Sequence, residues 1–282
     1  MRCKSRNCSS STGIPTNGAG DAAVRTFKLT LAYDGTAFAG WQFQPASRTV
    51  QAVLEEAMAA VTGLSGRALA AGRTDAGVHA LGQIVSVRSD TRLTPEVLRR
   101  ALNARLPDDV AVIEAVEVPA SFHPIRHATG KRYRYLLCDA RVRTVFRRYT
   151  SWHLHTRLDV DAMRRAAACL LGTHDFRSFQ SQGSPRSSTV RTVRELTIAR
   201  GKGPDEDLVT LEIEADGFLY NMVRSIVGTL VEVGRGARPE GWVAAALEAC
   251  DRSAAGPKAP PQGLILVRVN YTTAETEQGG MP

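Results

Sequence analysis

No run of apolar residues in this 282-residue chain approaches the ~18–20 that a bilayer-spanning helix requires. Residues 1–24 hold no hydrophobic stretch of the kind a secretory signal needs. The five cysteines (Cys3, Cys8, Cys138, Cys169 and Cys250) are odd in number, and no two stand as CxxC. That pattern gives neither a disulfide framework nor a cysteine zinc site, and it fits a reducing cytoplasm. No GxxxxGK[ST] phosphate loop and no GxSxG nucleophile elbow occurs. No histidine begins HxE and there is no PCxxC, so the zinc-deaminase signature is missing as well. His153 and His155 could share a strand face, but a third metal ligand is not apparent, and they read as ordinary polar positions.

What is present is a globular composition, 43% apolar and 23% charged. The 36 Lys and Arg outnumber the 28 acids, leaving a formal charge of +8. Such a balance favours a polyanionic partner without requiring one. Residues 1–24 are rich in Ser, Gly and Ala and lack packing groups, so they read as a flexible tail, and 272–282 as a second, short one.

Order is expected from Phe27. Phe27, Leu29, Leu31 and Tyr33 alternate with Lys28, Thr30 and Ala32, the period of a half-buried strand, and Asp34-Gly35 turns the chain. Val50, Val53, Leu54, Ala57, Met58 and Val61 recur at helical spacing behind the N-cap candidate Thr49. Thr94-Pro95 opens a second helix. Further strands are expected at 110–118, 133–138, 190–199, 208–215 and 264–270. Helices are expected at 159–171, stopped by Gly172, and at 218–233. A strand, Asp-Gly, aromatics and a helix follow one another at 29–41 and again at 209–223, which suggests two related halves, although so short a match arises nearly as easily by chance. The pattern predicts an α+β fold with mainly antiparallel sheets.

Three segments could carry chemistry. In Gly72-Arg73-Thr74-Asp75-Ala76-Gly77-Val78-His79-Ala80 two glycines permit tight turning and close approach. Arg73 and Asp75 flank one residue and face the same way if the backbone is extended. A carboxylate beside a guanidinium is able to act as nucleophile or base, or the two form an ion pair that merely holds a loop. The stretch 122–135 carries Arg126, Lys131, Arg132 and Arg134, with Arg141 and Arg143 beyond it. On a strand its two tyrosines face one side and Arg132 and Arg134 the other. Tyr135 reads as core, whereas Tyr133 fits either the core or a stacking platform for a base. Arg224 lies among Met222, Val223, Ile226 and Val227. It is either a buried cation that needs an anion or a residue of the solvent stripe.

At these segments the chain resembles the TruA family of tRNA pseudouridine synthases. The resemblance is carried by YDGTAFAGWQ (33–42), TVQAVLEEA (49–57), AGRTDAGVHALGQ (71–83), LNARLP (102–107), FHPIRHATGKRYRY (122–135), LLGTHDFRSF (170–179), NMVRSIVGTL (221–230) and GLILV (263–267). These landmarks stand in family order over about residues 25–271, and GRTDAGVHA is the most specific. The resemblance implies a homodimer of two-lobed subunits, here an N-terminal lobe of residues 25–120 and a C-terminal lobe of 121–271, with an active cleft between pseudo-symmetric lobes. It implies isomerisation of uridines 38, 39 and 40 in the anticodon arm of tRNA, with no metal and no organic cofactor. It makes Asp75 the catalytic carboxylate and Arg224 its partner. Tyr133 would contact the target base, Arg73 would hold the flipped-out nucleotide, and Leu264 would line the pocket. Arg126, Lys131, Arg132, Arg141 and Arg186 are candidates for the tRNA backbone. Where the family usually reads FHAR, this chain has Phe122-His123-Pro124-Ile125-Arg126, which displaces the arginine by one residue. The reaction detaches uracil from C1′, rotates it and rejoins it through C5. Asp75 would either attack covalently or remove a proton to give a glycal-like intermediate. A non-catalytic tRNA-binding protein is the alternative.

Overall fold

The computed structural model describes residues 24–63, 66–181, 183 and 188–272. Both expected tails, apart from Val24 and Thr272, and Arg186 lie outside the described residues.

Alternation builds the first strand, β1 (Arg25–Tyr33), which buries Phe27, Leu29, Leu31 and Tyr33. Thr49 caps α1 (Val50–Thr62) by accepting the Ala52 N–H at 3.3 Å, as its side-chain chemistry favours. β2 (Leu69–Ala70) and β3 (His79–Ser89) follow. Thr94 then caps α2 (Pro95–Asn103), whose proline occupies the first turn, where no intrahelical donor is needed. The first half ends with β4 (Val110–Val118).

The second half runs through β5 (Ala128–Cys138), β6 (Trp152–His153), α3 (Val160–Ala167), β7 (Gly172–Asp175), β8 (Val190–Arg200) and β9 (Leu208–Ala215). α4 (Met222–Gly234), α5 (Trp242–Glu248) and β10 (Leu264–Tyr271) complete it. Two expected helices are shorter than their patterns. The one expected from 159 gives way after Ala167 to a 3-10 turn over Ala168–Leu170. The one expected from Phe218 begins at Met222, because Asn221 takes a left-handed backbone with φ of 60°.

The strands form one sheet in the order β4-β1-β3-β10-β5-β9-β8-β7, with β2 on β3 and β6 on β5. Neighbours are antiparallel except β3 with β10 and β5 with β6. Each half repeats one plan. β1-α1-β2-β3-α2-β4 gives the order β4-β1-β3-β2, and β5-α3-β8-β9-α4-β10 gives β10-β5-β9-β8. Both are the split βαβ arrangement, α+β in class. The equivalent of β1 is therefore β5, whereas the Asp-Gly recurrence matched β1 with β9. That short match is not the trace of the repeat. The half-sheets meet at a short parallel seam, where Ile265 pairs with His79 and Leu266 with Ala80.

Candidate active site

The segment from Ala71 to Val78 links β2 to β3 and is fastened from several sides. Its first two carbonyls are taken at once: Lys131 Nζ donates to Ala71 O at 2.8 Å, and Gln83 Nε2 donates to Gly72 O at 2.7 Å. A side chain at Gly72 would crowd Lys131, since its Cβ would lie 2.9 Å from Nζ. Trp41 N–H donates to Thr74 O at 3.0 Å, and the Thr74 hydroxyl meets the Tyr33 hydroxyl at 2.8 Å. Burial pushes the Tyr33 phenol up to about 12, against the pull of its hydrogen bonds with Thr74 and Gln83, so it stays protonated at neutral pH. Gly77 completes the turn with φ of 77°, a region that favours glycine.

This fastening presents Asp75 just before the start of β3, an interior strand of the sheet, and its side chain keeps 31% of its exposure. Arg224, one turn into α4, reaches across from the second half and places Nη1 3.3 Å from Asp75 Oδ2. The guanidinium is only 9% exposed, so its direction has to be fixed by partners. Nε donates to Ala259 O at 2.7 Å, and Nη1 also donates to Asn221 Oδ1 at 2.9 Å. The Ala259 N–H returns a hydrogen bond to Arg224 O at 3.0 Å. Asn221 holds its left-handed backbone at the head of α4 while its amide donates to Ser181 Oγ at 3.1 Å. A non-glycine residue in that conformation is a small store of strain of the kind that gathers at functional sites. Among the described residues, the Asp75 side chain has no hydrogen-bond partner besides Arg224, which leaves Oδ1 free.

Tyr133 projects from β5 into the same region. Its ring is 8% exposed and meets Phe218 edge-on at 5.1 Å. Burial raises its phenol well above the usual range, and the nearby Tyr33 and Asp75 charges add to the effect. The hydroxyl makes no hydrogen bond among the described residues, and it is not one of the fully buried orphan polar atoms, so it keeps a little contact with solvent. Leu264 starts β10, buried, directly opposite Tyr135. Tyr135 is fully buried and donates to Pro260 O at 2.7 Å, a core role.

Asp75, Arg224, Tyr133 and Leu264 thus lie around the seam, on both sides of it. Arg73 does not pair with Asp75: it is exposed and has no ion-pair partner among the described residues, and Asp75 instead meets Arg224 across 149 positions. Arg132 is engaged within the protein. Its guanidinium is paired with Glu195, Glu212 and Glu214 on the face of β5 opposite Tyr133. Lys131 is spent on the Ala71 carbonyl. Arg126 and Arg141 are exposed. The sequence reading gave no role to His79, Thr74, Asn221 or Phe218. His79 and Thr74 stand inside the motif it singled out, which was the available signal.

Comparison with known proteins is consistent across the chain. The family described as tRNA pseudouridine synthase matches residues 30–125 and 166–272. The tRNA pseudouridine synthase A of Moorella thermoacetica is 48% identical over 246 residues, 86% of this chain and 98% of that protein. That of Myxococcus xanthus is 47% identical over 244 residues, covering 86% and 91%. That of a Thermoanaerobacter species is 44% identical over 248 residues, covering 88% and 100%.

Proposed function

This chain belongs to the tRNA pseudouridine synthase family, and we propose that Asp75 is the carboxylate with which it converts uridine to pseudouridine in tRNA. The enzyme is an isomerase. We assign its target to uridines 38, 39 and 40 of the anticodon arm, on the resemblance of its motifs.

The observation that carries the assignment of Asp75 is the division of labour between its two oxygens. Oδ2 is held by a buried, fully oriented guanidinium, while Oδ1 has no partner among the described residues. A nucleophile or base needs a fixed position and one free lone pair, and this arrangement supplies both. The target base has to leave its stack to reach it, at a cost of about a few kcal/mol. Tyr133 then offers a ring face and a protonated hydroxyl to the extruded uracil, and Leu264 offers apolar contact. The N1–C1′ bond breaks, the base turns, and C5 bonds to C1′. The C5 proton leaves to a base, for which Asp75 is the simplest candidate, and N1 ends protonated. Arg73, exposed beside Asp75, is placed to hold the backbone of the flipped nucleotide.

We read residues 25–120 as the lobe that carries the Asp75 loop and 121–271 as the lobe that carries Arg224, Tyr133 and Leu264. The repeated βαββαβ plan supports this division. By the same resemblance the enzyme works as a homodimer in the cytoplasm, without metal or cofactor. No helix of the described residues is long and apolar enough to cross a membrane.

The test is tritium release from tRNA labelled at uridine C5. Wild type should release it, and Asp75→Asn should not, while binding tRNA with unchanged affinity. Equal release by both would remove Asp75 from the mechanism. Binding without release by the wild type would leave only a tRNA-binding protein.

A further inference from the structure

We propose that His79 is a positioning residue, whose ring locks the Asp75 loop to the strand that delivers Leu264 across the seam between the half-sheets. The inference rests on Asp75 being the working carboxylate. His79 follows that loop directly as the first residue of β3 and is 5% exposed. It is also one of the residues at which β3 and β10 pair, opposite Ile265, and Ile265 follows Leu264 directly. Little backbone bonding joins the halves there, so a side chain that bridges them carries more weight than it would inside a long ladder.

Both ring nitrogens are engaged, and they face opposite halves. Nδ1 accepts the Gly35 N–H at 3.0 Å, which ties the loop's exit to the turn after β1. Because Nδ1 accepts, the proton of the neutral ring is on Nε2. Nε2 lies 2.9 Å from Tyr149 O and 3.1 Å from Gln262 O, both carbonyls of the second half, and it donates to them. Gln262 stands two residues before Leu264. Asp34 Oδ1 is 3.1 Å from Nδ1, so a doubly protonated ring would donate to Asp34 and keep its hold on the same turn. The ring therefore joins four segments: the β1 turn, the exit of the Asp75 loop, the turn that launches β10, and the stretch before β6 that carries Tyr149. Asp75 belongs to the second of these and Leu264 to the third. A shift of about 1 Å between them is the kind of misplacement that slows chemistry without weakening binding.

Substitutions separate this role from general packing. Glutamine can carry an N–H to the place of Nε2 and bridge the seam. Asparagine can offer an oxygen in the place of Nδ1 to the Gly35 N–H, but its amide falls short of the seam. Leucine does neither. The experiment measures single-turnover tritium release and tRNA dissociation constants for wild type, His79→Leu, His79→Gln, His79→Asn and Asp75→Asn. His79→Leu should lower the rate on the order of 10²-fold with binding held within about threefold, and His79→Gln should recover about tenfold more of the rate than His79→Asn. If His79→Leu fails to fold, the comparison of Gln with Asn decides alone. Recovery by Asn equal to that by Gln, an unchanged rate in His79→Leu, or affinity lost in step with rate would each overturn the proposal. Activity remaining in Asp75→Asn is a separate failure, of the Asp75 assignment and not of the seam.

Discussion

Two arginines of the second half, Arg224 and Arg132, meet carboxylates in opposite ways. Arg132 faces Glu195, Glu212 and Glu214, more anions than one guanidinium can neutralise, and Arg134 and Arg268 add charge to the same patch. Every one of these carboxylates is engaged, and the network ties β5 to β8, β9 and β10. Arg224 is held mainly by neutral acceptors, Ala259 O and Asn221 Oδ1, and meets a single carboxylate of which one oxygen stays free. The first arrangement is saturated and has nothing left to offer a substrate. The second is satisfied on the arginine's side and left open on the aspartate's side. Charge alone does not distinguish the two ion pairs; an unused lone pair on a fixed carboxylate does.

Breaking each pair should therefore give different losses. The largest is expected at Arg224. Arg224→Lys keeps the charge but not the planar fork that bonds Ala259, Asn221 and Asp75 together. It should fold and bind tRNA, yet release tritium on the order of 10²-fold more slowly, because Asp75 loses its orientation. Wild-type rates in Arg224→Lys would mean that orientation by the fork is unimportant. Tyr133 comes next. Tyr133→Ala removes the ring that meets Phe218, with a base-stacking loss of about 1–3 kcal/mol. Tyr133→Phe keeps the ring and should retain more activity than Tyr133→Ala. Equal losses would transfer the role to the hydroxyl.

Arg132→Ala should touch stability and leave catalysis nearly alone. Burial alone would raise the Glu212 and Glu214 carboxyls, but hydrogen bonds from Arg134 and Arg132 outweigh it, and both end below the usual carboxylate range. A carboxyl lowered by folding lends stability that is present above its unfolded value, about 4.3, and is lost as pH falls through the lower folded value. The wild type should therefore lose stability in acid below about pH 4.3. Arg132→Ala should show a lower melting temperature at pH 7 and a flatter fall in acid, measured by thermal unfolding across pH. A variant with wild-type melting at pH 7 would show that the network contributes nothing.

Much of the scaffold was legible in the sequence, because local rules determined it. Thr49 and Thr94 cap the helices they precede, and the alternation at 27–33 is β1. β3 escaped notice because all of its residues but Leu81 and Arg88 are buried, which erases alternation. The repeat of the halves is not carried by the short Asp-Gly recurrence, which chance explains nearly as well. It lies in strand order, where β1 corresponds to β5, and the Asp-Gly turns after β1 and β9 coincide without being equivalent. The partner of Asp75 was equally invisible to spacing: Arg73 stands two residues away but the contact is with Arg224. Only the family resemblance joined those two positions. The sequence marked Arg132 only as a candidate for the tRNA backbone; its ion pairs follow from the facing of Glu212 and Glu214 on β9 across the sheet.

The smallest effects belong to the exposed cations, and they sharpen the contrast with Arg132. Arg73, Arg126 and Arg141 are exposed and take part in no ion pair of the described residues. Binding of a phosphate by any of them releases counterions, so tRNA affinity should fall linearly with salt on logarithmic axes, by about 0.7–0.9 in slope per phosphate held. Alanine at one of these positions should lower the slope by about that amount and weaken binding evenly across tRNA sequences. Arg132→Ala should leave the slope where it was, since its guanidinium is already neutralised by Glu195, Glu212 and Glu214. Arg126 is the most informative of the three, because its displacement by one residue from the family pattern makes its reach to RNA depend on the loop after Phe122. An unchanged slope in Arg126→Ala beside a reduced one in Arg73→Ala would confine the phosphate contacts to the neighbourhood of Asp75. Slopes reduced equally by Arg73→Ala and Arg132→Ala would mean that RNA displaces the glutamates, and the saturated network would then be a contact surface after all.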